Sequence, residues 1–125
     1  MFPPVPGPAA LSLRIDLPNG RIGPGKIALL EAIDREGSIS AAGRALGMSY
    51  KRAWDLVDEL KRLLGAPVVD ASPGGPRGGG AVLTEAGRHL VADYRAIERA
   101  ATEAAGPRLT ELLRRAAAQP AAPPR

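Results

Sequence analysis

The chain has 125 residues, with 17 lysines and arginines against 13 aspartates and glutamates, so its formal net charge is +4. This length allows one domain with a modest core, and the small positive excess suits an anionic partner without identifying it. The absence of cysteine excludes disulfides, thiolate metal sites and a cysteine redox switch. No apolar run approaches the roughly 20 residues that span a bilayer, and the start lacks the features of a signal peptide, so we expect a cytoplasmic protein.

Both ends of the chain, 1–10 and 119–125, are rich in proline and alanine and are predicted to be disordered. Apolar residues alternate with polar ones over 11–17, which is typical of a half-buried strand. The turn signal Pro18-Asn19-Gly20 follows directly. We therefore expect the half-buried strand to end there.

A support helix is predicted next, beginning near Pro24 and ending near Gly37. Proline is favoured in the first turn of a helix, and glycine is favoured just past its end. The inward stripe at helical spacing would consist of Ile27, Leu30 and Ile33. This helix would carry the segment that follows.

Residues 38–65 have the pattern of a helix-turn-helix: a short helix, a glycine turn and a longer helix with a basic start. Ser38 or Ser40 can cap the first helix, and Ser49 can cap the second. Gly47 suits the reversal between them, because glycine takes the left-handed conformation without a steric cost. Apolar residues of the second helix recur at spacings of four, three and four, which predicts an inward face of Ala53, Val57, Leu60 and Leu64.

The other face of the second helix carries candidate DNA contacts, since recognition helices place their first residues against base edges in the major groove. Together with the serines Ser38, Ser40 and Ser49, these candidates are Tyr50, Lys51, Arg52, Trp54 and Asp55. Lys51 and Arg52 can donate to guanine or to phosphate, while the two aromatic rings can contact a thymine methyl or pack on sugar. Asp55 could accept from cytosine N4, but an ion pair with Arg52 is preferred. A solvated face for the charges and a core position for Trp54 are the plainer alternatives.

Residues 67–71 and 81–84 are short strand candidates joined by a glycine-rich segment, which predicts a hairpin wing and hence a winged helix. The candidate DNA contacts here are Arg77, Gly78 and Gly79. Glycines let a loop lie close to a phosphate backbone, while Arg77 could reach a phosphate or the minor groove. A flexible tip without a partner is the alternative. A nucleotide-binding loop is disfavoured because the pattern GxxxxGK[ST] is absent.

Thr84 can cap a long final helix with an apolar stripe of Leu90, Tyr94, Ile97 and Ala101. A domain this small does not need so long a helix for its own core, so we expect another surface to cover the apolar stripe. We therefore predict a homodimer interface, which would place two recognition helices about 34 Å apart. Packing back on the same subunit is the alternative. The predicted division is a winged helix-turn-helix over 11–83 and a dimerisation arm over 84–118.

Four segments carry a family resemblance: GKIALLEAI (25–33), GSIS (37–40), MSYKRAWDLVDEL (48–60) and GGPRGGGAVLTEAGRHL (74–90). In them the chain resembles the N-terminal DNA-binding domain of ModE-type molybdate-responsive regulators and, more distantly, the LysR-type winged helix. The resemblance implies a mainly α-helical winged domain with a small β wing, acting as a homodimeric transcriptional regulator on a palindromic operator. Regulators of that kind also carry C-terminal modules that bind molybdate or tungstate. No residues here match that oxyanion site, so we expect no oxyanion domain and assign no cofactor or metal.

Two other classes of function are weighed against this. An enzyme is disfavoured, because the single histidine, His89, has no cysteine near it, and no paired carboxylates in a shielded pocket can be identified. The second alternative is an interaction module that heterodimerises with a full-length regulator and modulates its DNA binding. The expected partners are therefore double-stranded DNA and either a second copy of the chain or a longer relative. No membrane association is expected.

Overall fold

The structure, a computed structural model, describes residues 10–72 and 79–118. The elements in chain order are β1 (Ile15–Leu17), β2 (Gly20–Ile22), α1 (Pro24–Glu36), α2 (Ile39–Ala45), α3 (Tyr50–Leu64), β3 (Val69–Ala71), β4 (Ala81–Leu83) and α4 (Glu85–Ala118). Strands β1 and β2 form one antiparallel hairpin, and β3 and β4 form another, the predicted wing. Apart from Ala10, the predicted disordered ends lie outside the described residues, as does the segment 73–78 of the predicted glycine-rich loop.

Helix α1 is the centre of the core and contacts α2, α3, α4 and β4. It begins at Pro24 and ends at Gly37, where φ is 77° and the Gly37 N–H donates to the Ile33 carbonyl, as the sequence predicted. The predicted stripe is fully buried, and two further residues that it omitted, Leu29 and Ala32, are buried as well. Because neighbours cover α1 on several sides, its buried surface is wider than one stripe.

The predicted N-terminal strand is shorter than expected, and a strand that was not predicted pairs with it. Only Ile15–Leu17 of the alternating segment is a strand, and after the turn the chain pairs back as β2, with Ile15 opposite Ile22. A turn signal that ends one strand equally begins its hairpin partner, and a three-residue strand is too short to show a period. Strand β2 lies against α3: a Cβ on Gly20 would be 2.5 Å from Leu63 Cδ2.

Helix α4 runs without a break from Glu85 to Ala118, through Gly106 and Pro107. Its predicted cap is confirmed, since the Thr84 hydroxyl accepts from the Gly87 N–H at 3.1 Å and donates to the Pro67 carbonyl at 2.7 Å. Among the described residues, no helix combines the length and apolar character needed to cross a membrane.

The first part of α4 packs on its own subunit, which corrects the predicted dimer stripe. Tyr94 is 1% exposed, and its hydroxyl donates to the Leu13 carbonyl at 2.6 Å. Leu90 is half-buried against the same core. Tyr94 is therefore a core residue rather than part of an exposed surface, because α4 starts on top of α1. Ile97 is 47% exposed and Ala101 half-buried, so the open part of the stripe begins later.

Arg95 fastens α4 to α1. Its guanidinium donates to both carboxylate oxygens of Glu31, at 3.1 and 2.6 Å, and to Glu98 at 2.8 Å. The hydrogen bond from Arg95 lowers the pKa of the Glu31 carboxyl below its usual value of 4.5. A carboxyl with a lowered pKa stabilises the fold above its unfolded-state pKa and loses that contribution as the pH falls through the folded-state pKa.

We therefore expect Glu31→Gln to reduce the acid sensitivity of the domain. Above about pH 6 the variant should be less stable than wild type by at most about 1 kcal/mol, since the pair is partly exposed and water screens it. As the pH falls through the lowered folded-state pKa of Glu31, the difference should shrink, and it should vanish once Glu31 is protonated in both states. Thermal unfolding followed by circular dichroism across this range measures the difference. Glu36→Gln, which removes an exposed charge from the same helix, is the control. A difference for Glu31→Gln that does not change with pH would contradict the prediction.

Candidate nucleic-acid interface

The helix-turn-helix is held by two serine caps and a glycine turn. Ser38 Oγ accepts from the Ala41 N–H and Ser49 Oγ accepts from the Arg52 N–H, each at 3.0 Å. Gly47 has a φ of 70°, as the reversal requires. Of the two alternatives for the first cap, the structure selects Ser38. Ser40 instead accepts a hydrogen bond from Arg44 Nη1 at 2.8 Å.

Helices α2 and α3 approach each other closely at Gly43, which the sequence analysis missed. A Cβ at this position would lie 3.4 Å from the Met48 carbonyl oxygen and 3.5 Å from Ala53 Cβ. Gly43 is buried inside α2. Its position one turn before the Gly47 reversal was the available signal, because small residues allow two short helices to pack together. Gly43 therefore lies in the contact between α2 and the first turns of α3.

Helix α3 has one buried face, which differs slightly from the predicted one. Ala53, Val57 and Leu60 are buried as predicted, but the fourth buried residue is Leu56, whereas Leu64 is 37% exposed. Leu64 is the last residue of the helix. The start of the opposite face, with Lys51 and Asp55, is exposed to solvent.

The predicted ion pair between Asp55 and Arg52 is wrong. Asp55 Oδ2 lies 2.8 Å from Lys51 Nζ, four residues earlier, while Arg52 lies further round the helix. Both spacings are compatible with a helix, so the sequence could not select between them. The side chains of the pair are 86% and 52% exposed, so it contributes little stability and Lys51 can exchange Asp55 for another anion.

The two aromatic residues of α3 form an edge-to-face pair, with ring centroids 6.1 Å apart and an interplanar angle of 72°. Tyr50 is 59% exposed. Trp54 is half-buried and packs against the core, and its Nε1 is buried without a hydrogen-bond partner among the described residues. Trp54 thus combines both interpretations of its position: part of the ring belongs to the core and part faces the site.

A cleft of about 410 Å³ separates the helix-turn-helix from the base of the wing. The predicted site residues that line it are Ser38, Ser40, Tyr50, Trp54 and Gly79. Ser72, which the sequence analysis missed, lines it too, and its N–H donates to the Gly80 carbonyl at 2.8 Å. The wing is joined to the end of α1, since the Ala81 N–H donates to the Gly37 carbonyl at 2.8 Å. Two of the predicted contacts, Arg77 and Gly78, lie outside the described residues.

The elements around this cleft define the class of fold: a serine-capped helix-turn-helix followed by an antiparallel wing is a winged helix-turn-helix. The family model of the LysR-family bacterial regulatory helix-turn-helix proteins matches residues 25–88. The chain belongs to this family.

Similar proteins agree with this assignment. The chain is 54% identical over 92 residues to the molybdenum-pterin-binding protein MopB of Rhodobacter capsulatus, which covers 74% of this chain and 34% of MopB. It is 44% identical over 71 residues to the DNA-binding transcriptional dual regulator ModE of Escherichia coli strain K12, covering 57% of this chain and 27% of ModE. The chain thus spans about a third or less of the length of these relatives.

Among solved structures, the full-length LTTR LysG of Corynebacterium glutamicum with bound effector Arg superposes with a TM-score of 0.54 and 27% sequence identity. The match covers 73% of this chain and 29% of LysG. The resemblance to ModE-type and LysR-type helix-turn-helix domains, and the winged fold it implied, are therefore confirmed.

Proposed function

We propose that this chain is a DNA-binding module of a transcriptional regulator, which binds a palindromic operator as a homodimer. One observation carries most weight: the capped start of α3 projects from the domain with its first residues exposed, beside the base of a wing. The ModE relative, named as a DNA-binding transcriptional regulator, supports the same function. We assign no catalytic role and no oxyanion effector to the described residues.

The start of α3 would enter the major groove, where a helix can meet base edges. Lys51 is the best placed cation to donate to guanine O6 and N7, since its side chain is 86% exposed and its pair with Asp55 is weak. Tyr50 would present its exposed ring to a thymine methyl or a sugar. Ser49 would donate its hydroxyl hydrogen to a phosphate while its oxygen caps the helix.

The wing side of α3 would contact one backbone strand. Ser38 and Ser40 use their oxygens as acceptors inside the domain, which leaves both hydroxyl hydrogens available to phosphate oxygens. Gly79 at the base of the wing is exposed and has no side chain that would block the approach of the phosphate backbone. We propose that Arg77 and Gly78 continue this contact towards the phosphates or the minor groove.

The homodimer would use the distal part of α4. Ile97 is 47% exposed, and Leu112, about 60° round the helix from it, is 63% exposed, which leaves apolar residues open to water on one side of an extended helix. A second copy related by a two-fold axis would cover this face and set two α3 helices about one DNA turn apart. The same face would serve the alternative function, pairing with a longer regulator of the family.

The central test is replacement of Lys51 by alanine in the full chain. An operator is first selected from random duplex DNA, and affinity is then measured by fluorescence anisotropy. Loss of a base contact of about 1 to 3 kcal/mol should weaken operator binding by about 5- to 150-fold and relax the preference at one base pair.

Lys61→Ala is the matched control, because it removes the same charge from the exposed last turn of α3. It should change the affinity little and leave the preference intact. Equal effects of the two substitutions would show that α3 does not read bases with its first turn. A wild-type chain that selects no sequence at all would overturn the proposed function.

A further inference from the structure

A second basic surface lies on the side of α3 away from the wing. Arg14, just before β1, Arg21 in β2 and Arg52 in α3 line one shallow depression of about 370 Å³. The side chains of Arg14 and Arg21 are 55% and 68% exposed. From the sequence alone, Arg14 was only a polar position in an alternating strand, and nothing connected it with the recognition helix.

The hairpin segment that carries Arg14 and Arg21 is held against α3. Lys26 Nζ lies 2.8 Å from Glu59 Oε1 on α3 and also donates to the Arg21 carbonyl oxygen. The Lys26 side chain is only 13% exposed, and its hydrogen bond lowers the pKa of the Glu59 carboxyl. Ile22 of β2 is buried in the core. The hairpin arginines therefore keep a fixed position relative to the recognition helix.

The charge of this surface suits an anion. Arg14 Nε lies 2.8 Å from Asp16 Oδ1, and Arg21 Nε lies 4.0 Å from the same oxygen. One aspartate therefore faces both hairpin cations. Glu59 is already neutralised by Lys26. Because these pairs are exposed, they contribute little, and the arginines can exchange Asp16 for a stronger acceptor.

The two sides of α3 would meet different strands of one duplex. The wing cleft is lined by Tyr50 and Trp54, whereas Arg52 and Leu56 line the hairpin depression. The major groove is about 12 Å wide and admits one helix, so a phosphate backbone runs along each side of an inserted helix.

We propose that Arg14, Arg21 and Arg52 form a phosphate-binding flank, by which the N-terminal hairpin contacts the DNA strand opposite the one that faces the wing. The inference rests on the proposed function and extends the contact surface beyond the helix-turn-helix and the wing to the N-terminal hairpin. Phosphate contacts fix the register of the protein on the duplex without reading sequence.

The test is the salt dependence of operator binding. It is measured for the wild-type chain, for Arg21→Ala, and for the double variant that carries both Arg14→Ala and Arg21→Ala. Each lost phosphate contact should lower the slope of log affinity against log salt by about 0.9, so we expect a loss of about 0.9 for the single variant and up to about 1.8 for the double. The affinity of these variants for DNA should fall by the same several-fold factor on every DNA sequence, and the base preference should not change. Arg21→Lys, which keeps the charge, should retain most of the slope.

Arg99→Ala is the control, since it removes one exposed charge from α4 and should leave the slope unaltered. Circular dichroism verifies that each variant is folded. A wild-type chain without sequence-specific binding would overturn the proposed function itself. Specific wild-type binding with unchanged slopes in both hairpin variants would overturn only the phosphate-binding flank, as would a changed base preference with an unchanged slope.

Discussion

Replacing Gly87 by alanine is expected to cost the domain about 3 kcal/mol of stability, which is a substantial part of the roughly 5 to 15 kcal/mol that holds a small domain together. Gly87 lies in the first turn of α4 and is buried. A Cβ there would be 2.2 Å from the Val68 carbonyl oxygen and 3.1 Å from its carbonyl carbon.

The Val68 backbone cannot simply move aside. Its carbonyl accepts the Thr84 N–H at 3.0 Å, and its side chain is 1% exposed in the core. An added methyl group therefore has to push α4 away from the residues before β3, which breaks the start of the helix and its packing on α1. Small-to-large changes in a tightly packed place carry costs of this kind.

Gly106→Ala provides the matched control in the same helix. Nothing lies within 4 Å of a Cβ at Gly106, and alanine favours a helix by up to about 1 kcal/mol, partly offset by the proline that follows. Urea unfolding followed by Trp54 fluorescence and by circular dichroism compares both variants with wild type. A Gly87→Ala protein as stable as the Gly106→Ala protein would contradict the described packing of α4.

The features that the sequence predicted correctly are local ones. A serine cap, a left-handed glycine and a helical apolar stripe each depend on a few neighbouring residues, which is why Ser49, Gly47 and Gly37 were assigned correctly. The winged helix-turn-helix follows from the order of such signals along the chain. Its family then follows from the resemblance of whole segments, which the family model confirms.

The features that the sequence could not settle depend on tertiary packing. The stripe that includes Tyr94 is visible in the sequence, but a stripe does not say whether the same subunit or another chain covers it. Asp55 has two cations within helical reach, and their positions around α3 decide between them. Arg21 approaches Arg52 only because β2 folds back onto α3, and that hairpin was itself not predicted.

The second large effect is expected for the homodimer. Ile97→Glu should give a folded monomer that binds a palindromic operator at least about 100-fold more weakly than wild type, with its affinity for an isolated half-site unchanged. Ile97 is 47% exposed, so the charge should not unfold the subunit, whereas a change at the buried Tyr94 would. The loss follows from effective concentration, because linked half-sites gain about 10²- to 10⁴-fold over independent ones.

Ala92→Glu is the control, since it places the same charge on an exposed residue about 140° round α4 from Ile97. Light scattering at tens of micromolar gives the oligomeric state, and anisotropy with full and half operators gives the two affinities. A wild-type monomer with full operator affinity would overturn the homodimer. A wild-type monomer that binds the operator only together with a longer relative would instead establish the alternative, in which the open face of α4 takes a partner chain and this domain modulates its DNA binding. The homodimer and this alternative both assign the exposed apolar residues of α4 to a protein partner, and the composition of the DNA complex decides which partner it is.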